Sequence, residues 1–323
     1  MTAEGKDVRV PELAVSWIDV DEGGAGQRID NFLLARLKGV PKSHVYRILR
    51  SGEVRVNSGR VDASRRLAVG DRIRVPPVRV AEREAGDAPA PPLELPVLFE
   101  DEHVLAVDKP SGLAVHGGSG IAHGAIERLR ASRPQAKFLE LVHRLDRETS
   151  GVLLLAKKRS ALTALHEELR DRSMDKRYLV AVAGRVRDQK RRVTVALRKY
   201  STGEGERRVA VDEREGQEAE TIFRRLARNA EFSFLEAELL TGRTHQIRVH
   251  LAHIGHPVLG DEKYGDFALN KLLRKRGLKR MFLHAAQLTF VHPATAEKVT
   301  VRSPLPAELE SFRRDALAEA ALS

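Results

Sequence analysis

Residues 141–157 constrain the fold of this chain more than any other stretch. An acid flanked by two arginines, Arg144, Asp146 and Arg147, leads through a small polar turn into an apolar run at residues 152–156. A carboxylate beside a buried strand must be paired or hydrogen-bonded, because burial alone raises its pKa until it is neutral. The pattern therefore predicts a buried strand with a charged group at its entrance. It leaves open whether Asp146 is catalytic or only forms an Asx turn before the strand.

The charge of the chain indicates a polyanionic partner. The 323 residues include 56 lysines and arginines against 45 acidic residues, a net charge of +11. Nucleic acid is the commonest partner of so basic a protein, and a solvated basic surface without a partner is the alternative. The absence of cysteine excludes disulfides and cysteine-bound zinc and fits a reducing cytoplasm. No apolar run is long enough to cross a bilayer, so we expect a cytoplasmic protein without a membrane partner.

Composition divides the chain into four segments. Residues 1–26 are predicted to be a flexible leader with at most one short strand, and residues 27–79 a small domain. Residues 80–96 are rich in proline, alanine and glutamate, which is typical of a linker. Residues 97–323 then form a larger domain, in which predicted strands outnumber helices and most connections are turns. This predicts an α+β fold with a mixed, mainly antiparallel sheet.

The small domain has the pattern of an RNA-binding module. Two short helices, the second between Pro41 and Gly52, precede a hairpin. One face of the second helix and the following strand place polar and basic side chains where they would contact RNA phosphates: Ser43, Arg47, Arg50 and Arg55. The module resembles the S4 RNA-binding domain. An ordinary solvated helix face is the alternative.

Two basic segments of the large domain are further candidates for phosphate contact. One covers residues 185–199 and includes Arg191 and Arg192, and the other covers residues 270–280 and includes Lys275 and Arg276. Such runs are often only solvated. In a chain that carries an RNA-binding module, we interpret them as RNA-binding surfaces.

Arg248 lies in a segment that predicts a helix beginning after Thr244. Ile247 would face the core, and Arg248 would border it, so its charge requires a carboxylate partner, for which Asp146 is the candidate. The nearby histidines are not predicted to bind metal, because no carboxylate or cysteine joins them at a ligand spacing: His245, His250, His253 and His256. Tyr178 lies in a predicted strand, where a core or edge role is the simpler alternative.

Three segments resemble the RluA-type family of RNA pseudouridine synthases: residues 143–151 (HRLDRETSG), 176–178 (KRY) and 242–250 (GRTHQIRVH). The likeness covers about residues 26–306, with no departure at the motif positions. Within the family, the chain is most similar to members that act on large-subunit (23S) ribosomal RNA.

The resemblance implies isomerisation of uridine to pseudouridine in 23S rRNA, free or in an assembling large subunit, by a monomer without metal or cofactor. It implies that Asp146 is the catalytic nucleophile, which attacks either ribose C1′ or the uracil ring. Arg248 would pair with this acid. Tyr178 would stack on the detached base and assist proton removal from C5, and Arg144 would fill the space left by a flipped-out uridine.

Three alternatives remain. A related synthase could act on other rRNA or tRNA uridines. A non-catalytic S4-type RNA-binding protein would explain the charge but would leave Asp146, Tyr178 and Arg248 without a purpose. A two-carboxylate glycosidase would need a second acid, for which Glu148 is the nearest residue but has no supporting motif.

Overall fold

The computed structural model describes residues 14–21, 23–37, 39–78, 90–118, 121–203 and 206–321. The chain forms two compact units, a small unit (Met1–Pro89) and a large unit (Ala90–Ser323). Most of the predicted linker, residues 80–89, lies outside the described residues. Residues 90–96 are not a free linker, because Ser132 Oγ donates to the Leu93 carbonyl at 2.9 Å and Asp108 N to the Pro96 carbonyl at 2.9 Å. These bonds attach the segment to the large unit.

The small unit packs two helices on a four-stranded antiparallel sheet with strand order β1-β4-β2-β3. Its elements are β1 (Ser16–Asp19), α1 (Ile29–Arg36), α2 (Lys42–Arg50), β2 (Arg55–Val56), β3 (Gly59–Arg60) and β4 (Arg72–Val75). The apolar faces of the helices supply Phe32, Leu33 and Val45 to a core that is closed from water. The two predicted helices and the hairpin are confirmed.

The predicted leader extends too far. Residues 1–13 lie outside the described residues, but β1 pairs with β4 along its whole length, from Ser16 opposite Val75 to Asp19 opposite Arg72. Val20 is buried in the core of the small unit. Residues 16–20 are therefore part of the small unit, because edge pairing and burial hold a strand that is too short and too exposed to give a clear pattern.

The large unit is built on a mixed sheet with strand order β11-β10-β12-β13-β9-β14-β8-β6-β5, with β7 beside β8 and β15 beside β14. Only β14 and β8 pair in parallel within the part of the chain that the structure describes. Its strands are β5 (Val97–Glu100), β6 (Val104–Lys109), β7 (Glu140–Leu141), β8 (Ser150–Ala156), β9 (Asp175–Ala183), β10 (Lys190–Ser201), β11 (Arg207–Val211), β12 (Gln217–Arg228), β13 (Phe232–Leu239), β14 (Leu283–Val291) and β15 (Lys298–Arg302). Its helices are α3 (Ala125–Ser132), α4 (Arg159–Arg170), α5 (Gln246–His253), α6 (Phe267–Lys275) and α7 (Ala307–Ala321). The predicted mixed, mainly antiparallel α+β fold is confirmed.

Strand β8 is the predicted buried strand. All seven of its residues are buried, and its side chains alternate between two cores, one on each face of the sheet. The sequence of such a strand is a continuous apolar run, because neither of its faces contacts water. The loop before it therefore emerges from the centre of the sheet, where it is held firmly on both sides. Among the described residues, no helix is long and apolar enough to cross a membrane.

Helix α5 begins differently from the prediction. His245, not Thr244, is its N-cap, with φ 53° and ψ 20° in the left-handed region, and its side chain makes no cap hydrogen bond. A non-glycine residue in this region is strained and persists only where its surroundings hold it. The surroundings of His245 are therefore of functional interest.

Candidate active site

Asp146 and Arg248 form the predicted ion pair. Arg248 Nη1 donates to Asp146 Oδ2 at 3.0 Å, across 102 positions of sequence. The turn after Asp146 is closed by its backbone, since Thr149 N donates to the Asp146 carbonyl at 3.1 Å. In the described part of the chain, no backbone N–H donates to the Asp146 carboxylate. The Asp146 side chain therefore does not form an Asx turn. It is 23% exposed and is accessible from the cleft.

Asp261 is a second partner of Arg248 that the sequence did not reveal. Arg248 Nε and Nη2 donate to its two carboxylate oxygens at 2.7 and 2.8 Å, a bidentate contact. Asp261 is 1% exposed. Burial acts to raise the pKa of Asp261, but the hydrogen bonds and charge of Arg248 outweigh it and hold the pKa below its ordinary value. Burial likewise opposes the charge of Arg248, yet the two carboxylates raise its pKa. The guanidinium is therefore fixed and permanently charged beside Asp146.

His245 approaches the other oxygen of Asp146. Its Nε2 lies 3.9 Å from Asp146 Oδ1, and its Nδ1 lies 2.8 Å from the hydroxyl of Tyr264. That hydroxyl already accepts a hydrogen bond from Val209 N at 2.9 Å, so its proton is available for Nδ1. Burial lowers the pKa of His245 although the charge of Asp146 opposes it, so the ring is neutral near pH 7. With Nδ1 as acceptor, the proton of the neutral ring lies on Nε2 and faces Asp146.

A buried lysine holds the loop that carries Asp146. Lys109, at the end of β6, is fully buried, and its Nζ donates to the carbonyls of Pro110, Leu113 and Arg147 at 2.9, 2.8 and 3.1 Å. Burial lowers the pKa of Lys109 to about 7. Ser111 Oγ donates to the Glu148 carbonyl at 2.7 Å. The backbone on the C-terminal side of Asp146 is therefore fastened at consecutive residues, which limits movement of the carboxylate.

Tyr178 and Arg144 line the same cleft as Asp146, which has a volume of about 1440 Å³. Tyr178 is 7% exposed and belongs to a central strand, not to an edge. Burial and then the charge of Asp146 raise its pKa, so its hydroxyl is protonated at neutral pH. Arg144 is exposed, and its guanidinium has no hydrogen-bond or ion-pair partner among the described residues. The structure thus brings together Asp146, Arg248, Tyr178 and Arg144.

The predicted RNA-binding residues of the small unit are all exposed. Ser43, Arg47 and Arg50 are exposed on α2, and Arg55 is exposed on β2. Arg47 has a 3.4 Å ion pair with the exposed Glu53. Among the described residues, the side chains of Arg50 and Arg55 make only long hydrogen bonds, to nearby backbone carbonyls at 3.4 and 3.5 Å.

The structure separates Arg191 from Arg192. Adjacent residues of a strand point to opposite faces, and both lie on β10. Arg192 is paired with Glu220, and Arg191 lies 3.9 Å from Asp188. Lys275 and Arg276 are exposed at the end of α6, where Arg276 pairs with Glu231 at 2.8 Å. A sequence run of basic residues therefore does not translate into one basic surface here.

The histidines around α5 are dispersed. His250 is fully buried, and neither of its ring nitrogens has a hydrogen-bond partner in the described part of the chain. His256 Nδ1 contacts the Ala183 carbonyl at 2.9 Å, and His245 contacts Tyr264. The described residues contain no group of three or more histidines and acids arranged to hold a metal ion.

Each of the two units contains a match to a known protein family. The family described as RNA pseudouridylate synthase matches residues 103–253, which include Asp146, Tyr178 and Arg248. The S4 domain matches residues 27–73 of the small unit.

Relatives cover nearly the whole chain. A protein of Yersinia pestis, named ribosomal large subunit pseudouridine synthase C, is 53% identical over 304 residues, which are 93% of this chain and 94% of that protein. The protein of the same name from Pasteurella multocida (strain Pm70) is 50% identical over 312 residues, 95% of each chain. Among solved structures, human RNA pseudouridylate synthase domain containing 4 is 26% identical with a TM-score of 0.57, covering 69% of this chain and 93% of that one.

Proposed function

The chain belongs to the RNA pseudouridine synthase family, and we propose that it converts specific uridines of large-subunit (23S) ribosomal RNA to pseudouridine with Asp146 as the nucleophile. The names of its relatives support the choice of RNA. The RNA in this proposal is free or part of an assembling subunit. The proposal includes action as a monomer, and ribosomal RNA as substrate supports action in the cytoplasm.

The observation that carries the proposed mechanism is the placement of Asp146. Its carboxylate opens to the cleft, and the hydrogen bond from Arg248 Nη1 to Oδ2 orients it. In one route, a carboxylate oxygen bonds to ribose C1′ while the N1–C1′ bond breaks and leaves its electron pair on N1. The detached base turns, and C5 bonds to C1′ as the carboxylate departs. In the other route, the carboxylate first adds to the uracil ring.

Proton transfer completes either route without gain or loss of atoms. The proton on C5 must leave, and N1 must acquire one. Tyr178 lines the cleft with its ring available to stack on the base and its hydroxyl protonated. When Asp146 is bonded to the sugar its negative charge is lost, and one of the two causes that raise the pKa of Tyr178 is removed. We assign Tyr178 to base stacking and to proton transfer, in which its hydroxyl gives a proton to N1 and the resulting phenolate takes the proton from C5.

His245 is the positioning residue for the second carboxylate oxygen in this proposal. The contact of Tyr264 with Nδ1 directs the Nε2 proton towards Asp146 Oδ1. Arg248 binds the other oxygen. Together they would hold the plane of the carboxylate, which supports attack in one direction.

Arg144 is assigned to base flipping. A uridine within a helix cannot reach Asp146, so it must be turned out of the stack, which costs a few kcal/mol. Arg144 is exposed in the cleft two residues before Asp146. Its planar guanidinium suits the space that a base leaves.

Asp146→Asn tests the proposal on 23S rRNA transcribed without modification. The amide has nearly the same shape but is not a nucleophile, so we expect RNA binding within about twofold of wild type and no pseudouridine above background by carbodiimide-primer extension. Pseudouridine formation by this variant would contradict the assignment of Asp146. A wild-type enzyme that modifies only transfer RNA would contradict the assignment of the substrate.

A further inference from the structure

Four arginines of the large unit lie near one another, where β9 and β12 end. Arg185 and Arg187 lie in the turn between β9 and β10, and Arg225 and Arg228 lie near the end of β12. Three of them are exposed and Arg225 is half-buried. Across the described residues none of the four forms an ion pair, and the acid within the turn, Asp188, lies 3.9 Å from Arg191 instead.

A β-bulge places Arg225 and Arg228 on one face of the sheet. Residues three apart in a regular strand point to opposite faces. In β12 the register shifts between Arg225 and Ala227, so that Arg225 lies opposite Leu235 and Arg228 opposite Ser233. The extra residue, Leu226, is 53% exposed. Bulges often redirect a side chain in this way near functional sites.

The turn is held in place without neutralising these charges. Arg225 donates to the carbonyls of Val186 and Arg187 and to Gln189 Oε1, and Arg228 donates to the Val186 carbonyl at 3.3 Å. Val186 N donates to the buried Ser233 Oγ at 2.8 Å. Carbonyl dipoles orient the guanidinium groups but leave their full positive charge. Groups fixed in advance lose less entropy when they bind an anion.

The arrangement costs electrostatic energy unless an anion is present. The positive charge of Arg225 lowers the pKa of Arg228, with smaller contributions from burial and from Arg185 and Arg187. Several like charges on a fixed loop with no acid to pair them are unfavourable in the free protein.

The cluster lies on the same face of the sheet as Tyr178. Ser233 lies between Arg228 and Val182, and Val182 is four residues after Tyr178 on β9. Alternate residues of a strand share a face, so Tyr178, Val182 and Arg228 point the same way. Four residues span about 13 Å at about 3.3 Å each. Arg228 also lies two strands across the sheet, at about 4.8 Å per strand, so it is about 16 Å from Tyr178, which is the length of about five nucleotides at about 3.4 Å each.

We propose that Arg185, Arg187, Arg225 and Arg228 form a phosphate-binding site for the substrate RNA backbone a few nucleotides from the target uridine. The site belongs to the large unit, and none of its four arginines lines the catalytic cleft. Its guanidinium groups bind phosphate oxygens, often in bidentate fashion, and position the RNA without reading its sequence. The inference rests on the proposed function in that the bound RNA is the substrate.

The test compares two double variants of the full chain that lose the same charge. Arg185→Ala with Arg187→Ala removes two arginines of the cluster, and Lys298→Ala with Arg314→Ala removes two exposed cations from β15 and α7. Binding to unmodified 23S rRNA is measured over a range of salt concentrations. We expect the first variant to lose about 2 from the slope of log K against log salt, and the control to retain the wild-type slope.

Hydroxyl-radical footprinting locates the contact. We expect the first variant to lose protection at one short group of nucleotides and to keep protection at the target uridine. Arg185→Lys with Arg187→Lys should restore the slope, which a merely misfolded turn would not allow. An unchanged slope and footprint, or an equal loss in the control, would overturn the inference. Failure of wild-type protein to form pseudouridine on the same RNA would instead contradict the proposed function and leave the slopes interpretable.

Discussion

Arg248 of the large unit and the arginines on α2 of the small unit are used in opposite ways. In the large unit, Arg248 is buried and bound to carboxylates on both sides, with Asp261 at 2.7 and 2.8 Å and Asp146 at 3.0 Å. In the small unit, Arg47 and Arg50 are exposed, and their side-chain contacts are at 3.3 Å or longer. A buried charge must stay paired, whereas an exposed one exchanges partners at little cost. The first arrangement fixes a carboxylate, and the second leaves cations free for phosphate.

The largest expected difference is between the effects of removing Arg248 and removing Arg47 on the free energy of unfolding. Arg248→Ala leaves Asp261 buried without its partner, so we expect the free energy of unfolding to fall by about 3–5 kcal/mol and activity to be lost. Arg47→Ala removes only an exposed pair and should cost less than about 1 kcal/mol. Urea denaturation of both variants measures the difference. Equal losses would show that burial does not set the strength of the Arg248 contacts.

Mild acid should lower the free energy of unfolding of the large unit more than that of the small unit. Burial, and to a lesser degree His253, lower the pKa of His250 to about 4 from an ordinary value of 6.5. As the pH falls below about 6.5, the unfolded chain takes up a proton that folded His250 does not, so stability falls until about pH 4. The full effect is about 3 kcal/mol at 1.36 kcal/mol per pKa unit.

Two spectroscopic signals report separately on the two units when urea denaturation is measured at different pH values. Trp17, the only tryptophan, reports on the small unit, which contains a single, incompletely buried histidine, His44. Circular dichroism follows the loss of the larger sheet. We expect the dichroism midpoint in urea to fall between pH 6.5 and 4 and the Trp17 midpoint to move less, with His250→Gln reducing the difference. A dichroism midpoint that does not change with pH would contradict the assignment of His250 as buried and neutral.

The smallest effect concerns RNA affinity. Arg47→Ala with Arg50→Ala removes two exposed cations of α2, so we expect the salt slope for 23S rRNA binding to fall by about 2 and the KM to rise. The Lys298→Ala with Arg314→Ala variant is again the matched control. A slope equal to that of the wild-type protein would show that this face of α2 is only solvated.

The elements around Asp146 could be predicted because their residues obey local rules. The apolar run of β8 predicts burial, and a buried arginine requires a carboxylate, which linked Arg248 to Asp146 across 102 positions. The same rule did not find Asp261, because it lies in a loop without a periodic pattern. Its bidentate geometry exists only in the folded chain.

Other features depend on tertiary structure. The short strand β1 is defined by its pairing with β4, and the left-handed His245 is held beside Tyr264 and Asp146. Strand alternation would place Arg225 and Arg228 on opposite faces, and the bulge reverses this. The buried Lys109 offers only a weak signal, because it follows Asp108 at the end of β6 and resembles an ordinary charged strand end. Register, bulges and contacts distant in sequence are not encoded in any single window.

The most direct test of the central claim, that Asp146 drives uridine isomerisation in large-subunit rRNA, is a map of pseudouridines in 23S rRNA from cells of the source organism. Cells lacking the protein are compared with cells that regain either the wild-type chain or Asp146→Asn at equal abundance. We expect that a defined set of pseudouridines disappears without the protein, returns with the wild-type chain and stays absent with the variant. Return of those pseudouridines with Asp146→Asn, or an unchanged map in cells lacking the protein, would contradict it.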